Sequence, residues 1–219
     1  MLLMPALVSP LMAVGCLAAS AQPSLPVEGE LLLRPWLPKD AAGVVKAFQD
    51  PAIQRWHLRR ADSEEEAREW ITQWQRGWRD ETGAHWAVVD AHDMLLGRVS
   101  LSSLVLMGGQ AEISYWTAPW ARGAGVCSRA VAAVTDWALG EAGFHRIELG
   151  HSVTNPASCR IAKRAGFTQE GVRRDALLHA DGWHDMHLHA RVRQGVWSVN
   201  AARQPGVLLA DGSDAESSA

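Results

Sequence analysis

A loop of small residues, Trp120-Ala-Arg-Gly-Ala-Gly-Val-Cys127, separates two segments of opposite pattern. Before it, Ala111-Glu-Ile-Ser-Tyr-Trp116 has the β-branched and aromatic content of a strand. After it, apolar side chains at Val126, Ala130, Val131, Val134, Trp137 and Ala138 recur with helical period. Gly123 and Gly125 let the backbone turn tightly and approach a ligand with no Cβ in the way. The helix that follows points its free N–H groups and positive dipole end back over the loop. Strand, glycine turn and helix N-terminus in that order form a cradle for phosphate, and they commit the chain to layers of sheet and helix.

Three such cradles compete. A nucleoside-triphosphatase loop needs Lys-Ser/Thr after its last glycine, and Val126-Cys127 stands there instead. A dinucleotide turn fits in part, with Ser128 where a third glycine is expected and Glu148 near where a ribose-binding acid would be. However, Ala118-Pro-Trp-Ala121 intervenes between strand and glycines, whereas that turn follows its strand directly. The third pattern, Arg122-x-x-Gly125-x-Cys127, resembles the Arg/Gln-x-x-Gly-x-Gly/Ala loop of GNAT acetyltransferases, which holds the pyrophosphate of acetyl-coenzyme A. Cys127 departs from the family's Gly or Ala but is still small. Downstream, the strand Arg146-Ile-Glu-Leu-Gly150 leads to Asn155-Pro-Ala-Ser158 and a short helix ending in Gly166-Phe167, which resembles the second signature of that family. Asn155 suits a helix N-cap, Pro156 the first helical position and Gly166 a left-handed C-terminal cap. The resemblance spans roughly Glu30 to Val192. The flanks Leu31–Asp40, Glu112–Trp116, Glu170–Arg174 and Gly182–Leu188 look most like the RimJ/RimL branch, whose members acetylate N-terminal amines of ribosomal proteins and other amines.

The resemblance implies an α+β chain with the GNAT acyl-CoA N-acyltransferase fold, a mixed, mostly antiparallel sheet with helices on both faces. The residue patterns place a strand at Leu31–Arg34 and helices near Asp40–Gln49 and Ser63–Trp78, the latter opened by a Ser63-x-x-Glu66 capping box. Strands His85–Asp90, Leu95–Leu101 and Gln110–Thr117 read as an antiparallel meander. The helix Gly125–Leu139 crosses over to a parallel strand Arg146–Leu149. Helix Pro156–Ala165 and strands Thr168–Arg174 and Trp183–Val192 follow. In the family the two parallel neighbours splay apart to admit the pantetheine arm.

With 219 residues and 47% hydrophobic content, the chain can bury one core, and we divide it into an extension (1–26), a GNAT domain (27–193) and a tail (194–219). Met1 to Ala21 is apolar and uncharged and ends like a signal peptide, yet lacks a positively charged leading region. An early start assignment fits better, so the extension is expected to be disordered and the domain cytoplasmic. The tail, rich in Gly, Ser, Asp and Ala, is expected to be disordered as well. A net charge of −3 without a basic block excludes an evident nucleic-acid surface, and no membrane is expected for the mature domain. The three cysteines form no disulfide framework. Trp70, Trp74 and Trp78 share a helix face, which reads as core or as a wall of the acceptor pocket. A monomer or homodimer is expected.

The resemblance implies an acetyl-CoA-dependent N-acetyltransferase whose primary-amine acceptor attacks the thioester directly. The acceptor is a protein N-terminus or a small amine. Glu112, on the strand feeding the loop, is the candidate general base, with an acceptor-binding or solvent-facing carboxylate as the alternative. A backbone N–H between Ser114 and Trp116 would hold the oxyanion. Many relatives protonate the leaving thiolate with a tyrosine seven residues after the signature asparagine, but Ala162 stands there. Ser158 is the substitute and Tyr115, the single tyrosine, the alternative. The cofactor contacts implied are Trp116, Thr117, Arg122, Gly123, Ala124, Gly125, Val126, Cys127, Asn155 and Ser158, with Arg122 and Arg129 as phosphate partners. At a helix N-terminus the Cys127 thiol should have a lowered pKa. His184-x-x-His187-x-His189 invites a metal, but strand alternation puts His184 on the opposite face, so no metal is expected. A catalytically silent acyl-CoA sensor is the alternative function.

Overall fold

The computed structural model describes residues 7–195. Eight strands form one sheet: β1 (Leu25–Val27), β2 (Leu31–Pro35), β3 (Gly83–Val89), β4 (Leu95–Val105), β5 (Gln110–Thr117), β6 (Arg146–Ser152), β7 (Thr168–His179) and β8 (Gly182–Val192). Their spatial order is β1-β2-β3-β4-β5-β6-β8-β7. Five helices accompany them: α1 (Ala41–Phe48), α2 (Pro51–Gln54), α3 (Glu64–Arg79), α4 (Val126–Leu139) and α5 (Pro156–Arg164). Every neighbouring pair is antiparallel except β5 and β6, which the α4 crossover forces parallel.

The pleat sorts the side chains between two helical layers. Trp86 points toward α4, its ring centroid 5.3 Å from that of Trp137. Arg98, which pairs with Ala87 and Trp116, points to the other face and lies over Trp74 of α3. The layer of α1 and α3 therefore covers one face and α4 with α5 the other, giving a core with Trp36, Trp86, Leu33 and Ile147 fully buried. The corner from β2 into α1 is fixed by Asp40, which accepts two bonds of 2.8 Å from the Arg34 guanidinium and one from the Leu37 N–H.

Local chemistry sets most boundaries. Ser63 caps α3 by accepting from the Glu66 N–H, while Glu66 reaches back to the Asp62 N–H, one residue before the expected box partner. Phe167 N–H donates to Ala162 C=O and Gly166 N–H to Lys163 C=O, the paired bonds of a Schellman end, with Gly166 at φ +78°. Three strands run past their expected ends. β4 continues through polar Ser102 and Ser103, the latter at φ +52°, as an irregular ladder to Val105. β6 extends over Gly150-His-Ser because β8 pairs with it to Ser152, and β7 reaches His179 through an irregular register with β8.

The expectation of a disordered extension is corrected for the described part of it. Met12 and Leu17 are buried, and the Leu11 and Met12 N–H groups donate to Met107 and Leu106. The Glu81 carboxylate accepts from the Gly15, Leu17 and Ala18 N–H groups, and the Trp78 and Trp86 indoles donate to the Ser20 and Pro23 carbonyls. Apolar residues that suggest a leader here cover the end of α3. The expected tail lies outside the described residues apart from Gln194 and Gly195.

Candidate active site

β5 and β6 pair only from Gln110 to Glu112 against Arg146 to Glu148. Beyond that point the strands separate, leaving the main chain of Ile113–Thr117 without a ladder partner on the β6 side. A cavity of about 960 Å³ opens through the gap and reaches both helical layers.

On the α4 side the wall is mostly backbone. Gly123 and Gly125 hold φ +84° and +71°, values an L side chain rarely adopts, and a Cβ at Gly123 would meet nothing within 4 Å. Gly125 is the N-cap of α4 and no side chain caps the helix, so its first-turn N–H groups face the cavity. Thr117, Arg122, Val126 and Cys127 line this part, whereas Ala124 does not. Across the gap, Asn155 caps α5 by accepting from the Ser158 N–H at 3.1 Å, and both residues line the cavity. The Tyr115 hydroxyl lies 3.5 Å from the Ser158 carbonyl. Burial pushes the Tyr115 pKa up, so the phenol keeps its proton.

Three expectations for this wall change. The Arg122 guanidinium is already engaged by Asp50, at 2.8 and 3.1 Å, and that pairing holds the Asp50 carboxyl below the usual range. Arg129 donates to the Glu28 and Ala124 carbonyls and so fastens the loop to the β1–β2 turn. The Cys127 thiol is pushed up to about 12, because burial outweighs the nearby Thr117 hydroxyl. It fills space and is not a thiolate.

The opposite wall is made of side chains. Phe48, Trp56, His57, Trp70 and Trp74 enclose it, while Trp78 sits in the core against Trp137, so the tryptophan face divides between core and cavity wall. Trp116 belongs to this wall by its ring, which packs at 5.7 Å from Phe48. Burial lowers the His57 pKa to about 4, and that ring is neutral. Arg98 has no hydrogen-bond or ion-pair partner among the described residues, and its buried Nε is unsatisfied. Burial lowers its pKa to about 10, so it remains a cation at neutral pH. Glu112 faces the same wall, opposite Glu148 in the register. Glu112 is exposed at the cavity wall, and partial desolvation with the Glu148 charge raises its pKa, against the pull of Arg173.

Sequence reading missed several of these groups. Arg98 carried a signal, as the one charge in the run Leu95–Leu101. Ser152, His184 and Asp181 form a chain, Ser152 Oγ to His184 Nδ1 at 2.7 Å and His184 Nε2 to Asp181 Oδ1 at 2.8 Å, which no spacing rule would assemble. The three histidines of the β8 motif do separate by face, and His187 and His189 meet His151 on the α5 side.

Comparisons with known proteins give the family and the fold. The family described as Acetyltransferase (GNAT) domain matches residues 30–168. A probable N-acetyltransferase, YjcK of Bacillus subtilis, is 32% identical over 138 residues, which are 61% of this chain and 76% of that protein. The ribosomal-protein-serine acetyltransferase of Escherichia coli is 31% identical over 100 residues, 46% of this chain and 56% of that protein. Among solved structures, a RimL ribosomal L7/L12 α-N-protein acetyltransferase in complex with coenzyme A superposes with TM-score 0.72 at 22% identity, covering 78% of this chain and 98% of that one, a likeness of fold.

Proposed function

The chain belongs to the GNAT acetyltransferase family, and from that premise we propose that it transfers the acetyl group of acetyl-CoA to a primary amine by direct attack, in the cytoplasm where that donor is made. The observation that carries this reading is the uncapped N-terminus of α4 behind two positive-φ glycines, opening on the gap between β5 and β6. Backbone N–H groups from Arg122 to Cys127 would bind the pyrophosphate, and Thr117 and Asn155 would border the pantetheine arm. No side chain at Gly123 or Gly125 obstructs that approach. Acetyl-CoA supplies an activated thioester, and the protein positions groups around its carbonyl.

An ammonium acceptor must lose a proton before it attacks. Glu112 would take it, its raised pKa bringing a carboxylate base nearer to working pH. Unpaired main-chain N–H groups between Ser114 and Trp116 would face the carbonyl oxygen as it gains charge. Ala162 offers no hydroxyl, so Tyr115 or Ser158 would protonate the departing thiolate, and the phenol is the stronger candidate because a phenol is a better acid than an alcohol, although burial weakens it. The unpartnered Arg98 cation narrows the acceptor to an amine that also carries a carboxylate or phosphate within reach of the Trp74 wall.

Calorimetry with acetyl-CoA, followed by thioester turnover against a panel of peptide and small amines, tests the reading. Binding with turnover of anionic amines supports it. Tight binding with no turnover of any amine favours the silent sensor, for which the absent tyrosine at Ala162 argues.

A further inference from the structure

Behind the cavity floor lies a second constellation. The sheet register sets His151 of β6 directly opposite His187 of β8, and His189 lies opposite Leu149, so the three rings share the face that α5 covers. Cys159 of α5 closes over them, and one donor atom from each of the four residues lies within 4.8 Å of all the others. The His151 and His189 rings stack at 5.0 Å with their Nε2 atoms 3.1 Å apart. His151 Nδ1 lies 2.8 Å from the Ser152 carbonyl, which can only accept. The proton therefore sits on Nδ1, and Nε2 presents a lone pair to the middle of the cluster. His189 is fully buried, and the Nδ1 atoms of His187 and His189 have no partner among the described residues.

We propose that His151, Cys159, His187 and His189 bind a zinc-class divalent cation. Three imidazoles and a thiol, with no carboxylate among them, are the donors that zinc takes in a closed tetrahedral site. Zinc–nitrogen and zinc–sulfur bonds of about 2.0 and 2.3 Å give tetrahedral edges of about 3.3 to 3.6 Å. The His151–His189 edge is near that already, and the widest pair must close by about 1 Å. The Ser152 carbonyl supplies the outer hydrogen bond that orients a ligating imidazole. On binding, Cys159 releases its proton to solvent and ligates as thiolate. The cation then ties the first turn of α5, which carries Asn155 and Ser158, to β6 and β8. Its role is to hold that arm of the gap in place, since four protein ligands leave no open position for substrate.

Cobalt titration of chelator-stripped full-length protein tests the site. The expected result is one equivalent per chain, with intense tetrahedral d–d bands, a thiolate-to-cobalt charge-transfer band, and displacement by zinc. The melting temperature should rise by about 5 to 10 °C with free zinc at a hundred times its Kd. Cys159→Ser should remove the charge-transfer band, His189→Gln should remove binding, and Cys16→Ser should change neither. Should His189→Gln fail to fold by circular dichroism, His187→Gln at the more exposed position serves instead. Absence of both spectrum and melting shift in the wild-type protein overturns the proposal and leaves a hydrogen-bonded histidine pair. A charge-transfer band that survives Cys159→Ser overturns it equally.

Discussion

The wall around Gly125 and the wall around Arg98 enclose one cavity but are built from different materials. The first is main chain: two positive-φ glycines, a helix N-terminus and an Asn155 cap, all within short stretches of sequence. The second is side chains gathered from α1, α3, β4 and β5 and from the segment after α2. Backbone geometry tolerates almost no variation in residue type, because a Cβ at positive φ is strained whatever surrounds it. A side-chain wall can be repacked one residue at a time. On that basis the wall proposed for acetyl-CoA is the less variable half and the wall proposed for the acceptor the more adaptable one.

Substitutions can break this contrast. Gly125→Glu puts a strained, charged side chain at the helix start and should abolish acetyl-CoA binding, a loss of about a thousandfold or more by calorimetry, while the melting temperature falls by only several degrees and the fold is kept. Retained binding would remove the cradle assignment. Glu112→Gln should lower kcat/KM about a hundredfold without changing acetyl-CoA affinity. In the wild type, activity should fall as pH drops through the raised Glu112 pKa, because the protonated acid cannot accept the amine proton. The variant should lose that acid limb, and an unchanged pH profile would return Glu112 to an acceptor-binding role.

Smaller effects sharpen the contrast. Arg98→Gln should raise KM about 10- to 100-fold for anionic amines, the worth of a charged hydrogen bond, and leave KM for acetyl-CoA alone. Equal loss for neutral amines would show that Arg98 only supports the Trp74 wall. Tyr115→Phe should slow turnover about tenfold and Ser158→Ala by less, as suits a proton donor that general acid catalysis does not wholly depend on. The reverse order would exchange the two roles.

The same contrast explains what could be read from the chain. Strand, loop and crossover around Gly123 and Gly125 were legible because each feature is local: a period, a positive-φ turn, a cap. The Asn155 and Gly166 ends of α5 were legible for the same reason. Arg98 shows only as a lone charge in its strand, and the Ser152–His184–Asp181 chain not at all, since their meaning depends on pairings between distant strands. At Cys127 a helix N-terminus and burial act on the thiol in opposite directions, and only the packing says which prevails. An apolar stretch without a period reads alike whether it is loose or docked on a core, so the packing of Met12 and Leu17 is not visible in the sequence.

That segment has a further consequence. A peptidase cutting after Ala21 would remove two core side chains, the Ser20 carbonyl that receives the Trp78 indole, and every amide that Glu81 binds. The stretch that resembles a leader thus behaves as a tethered ligand of its own domain. Only Met12 and Leu17 of the described stretch are buried, so its loss would leave two holes at the surface of the core and uncover the end of α3.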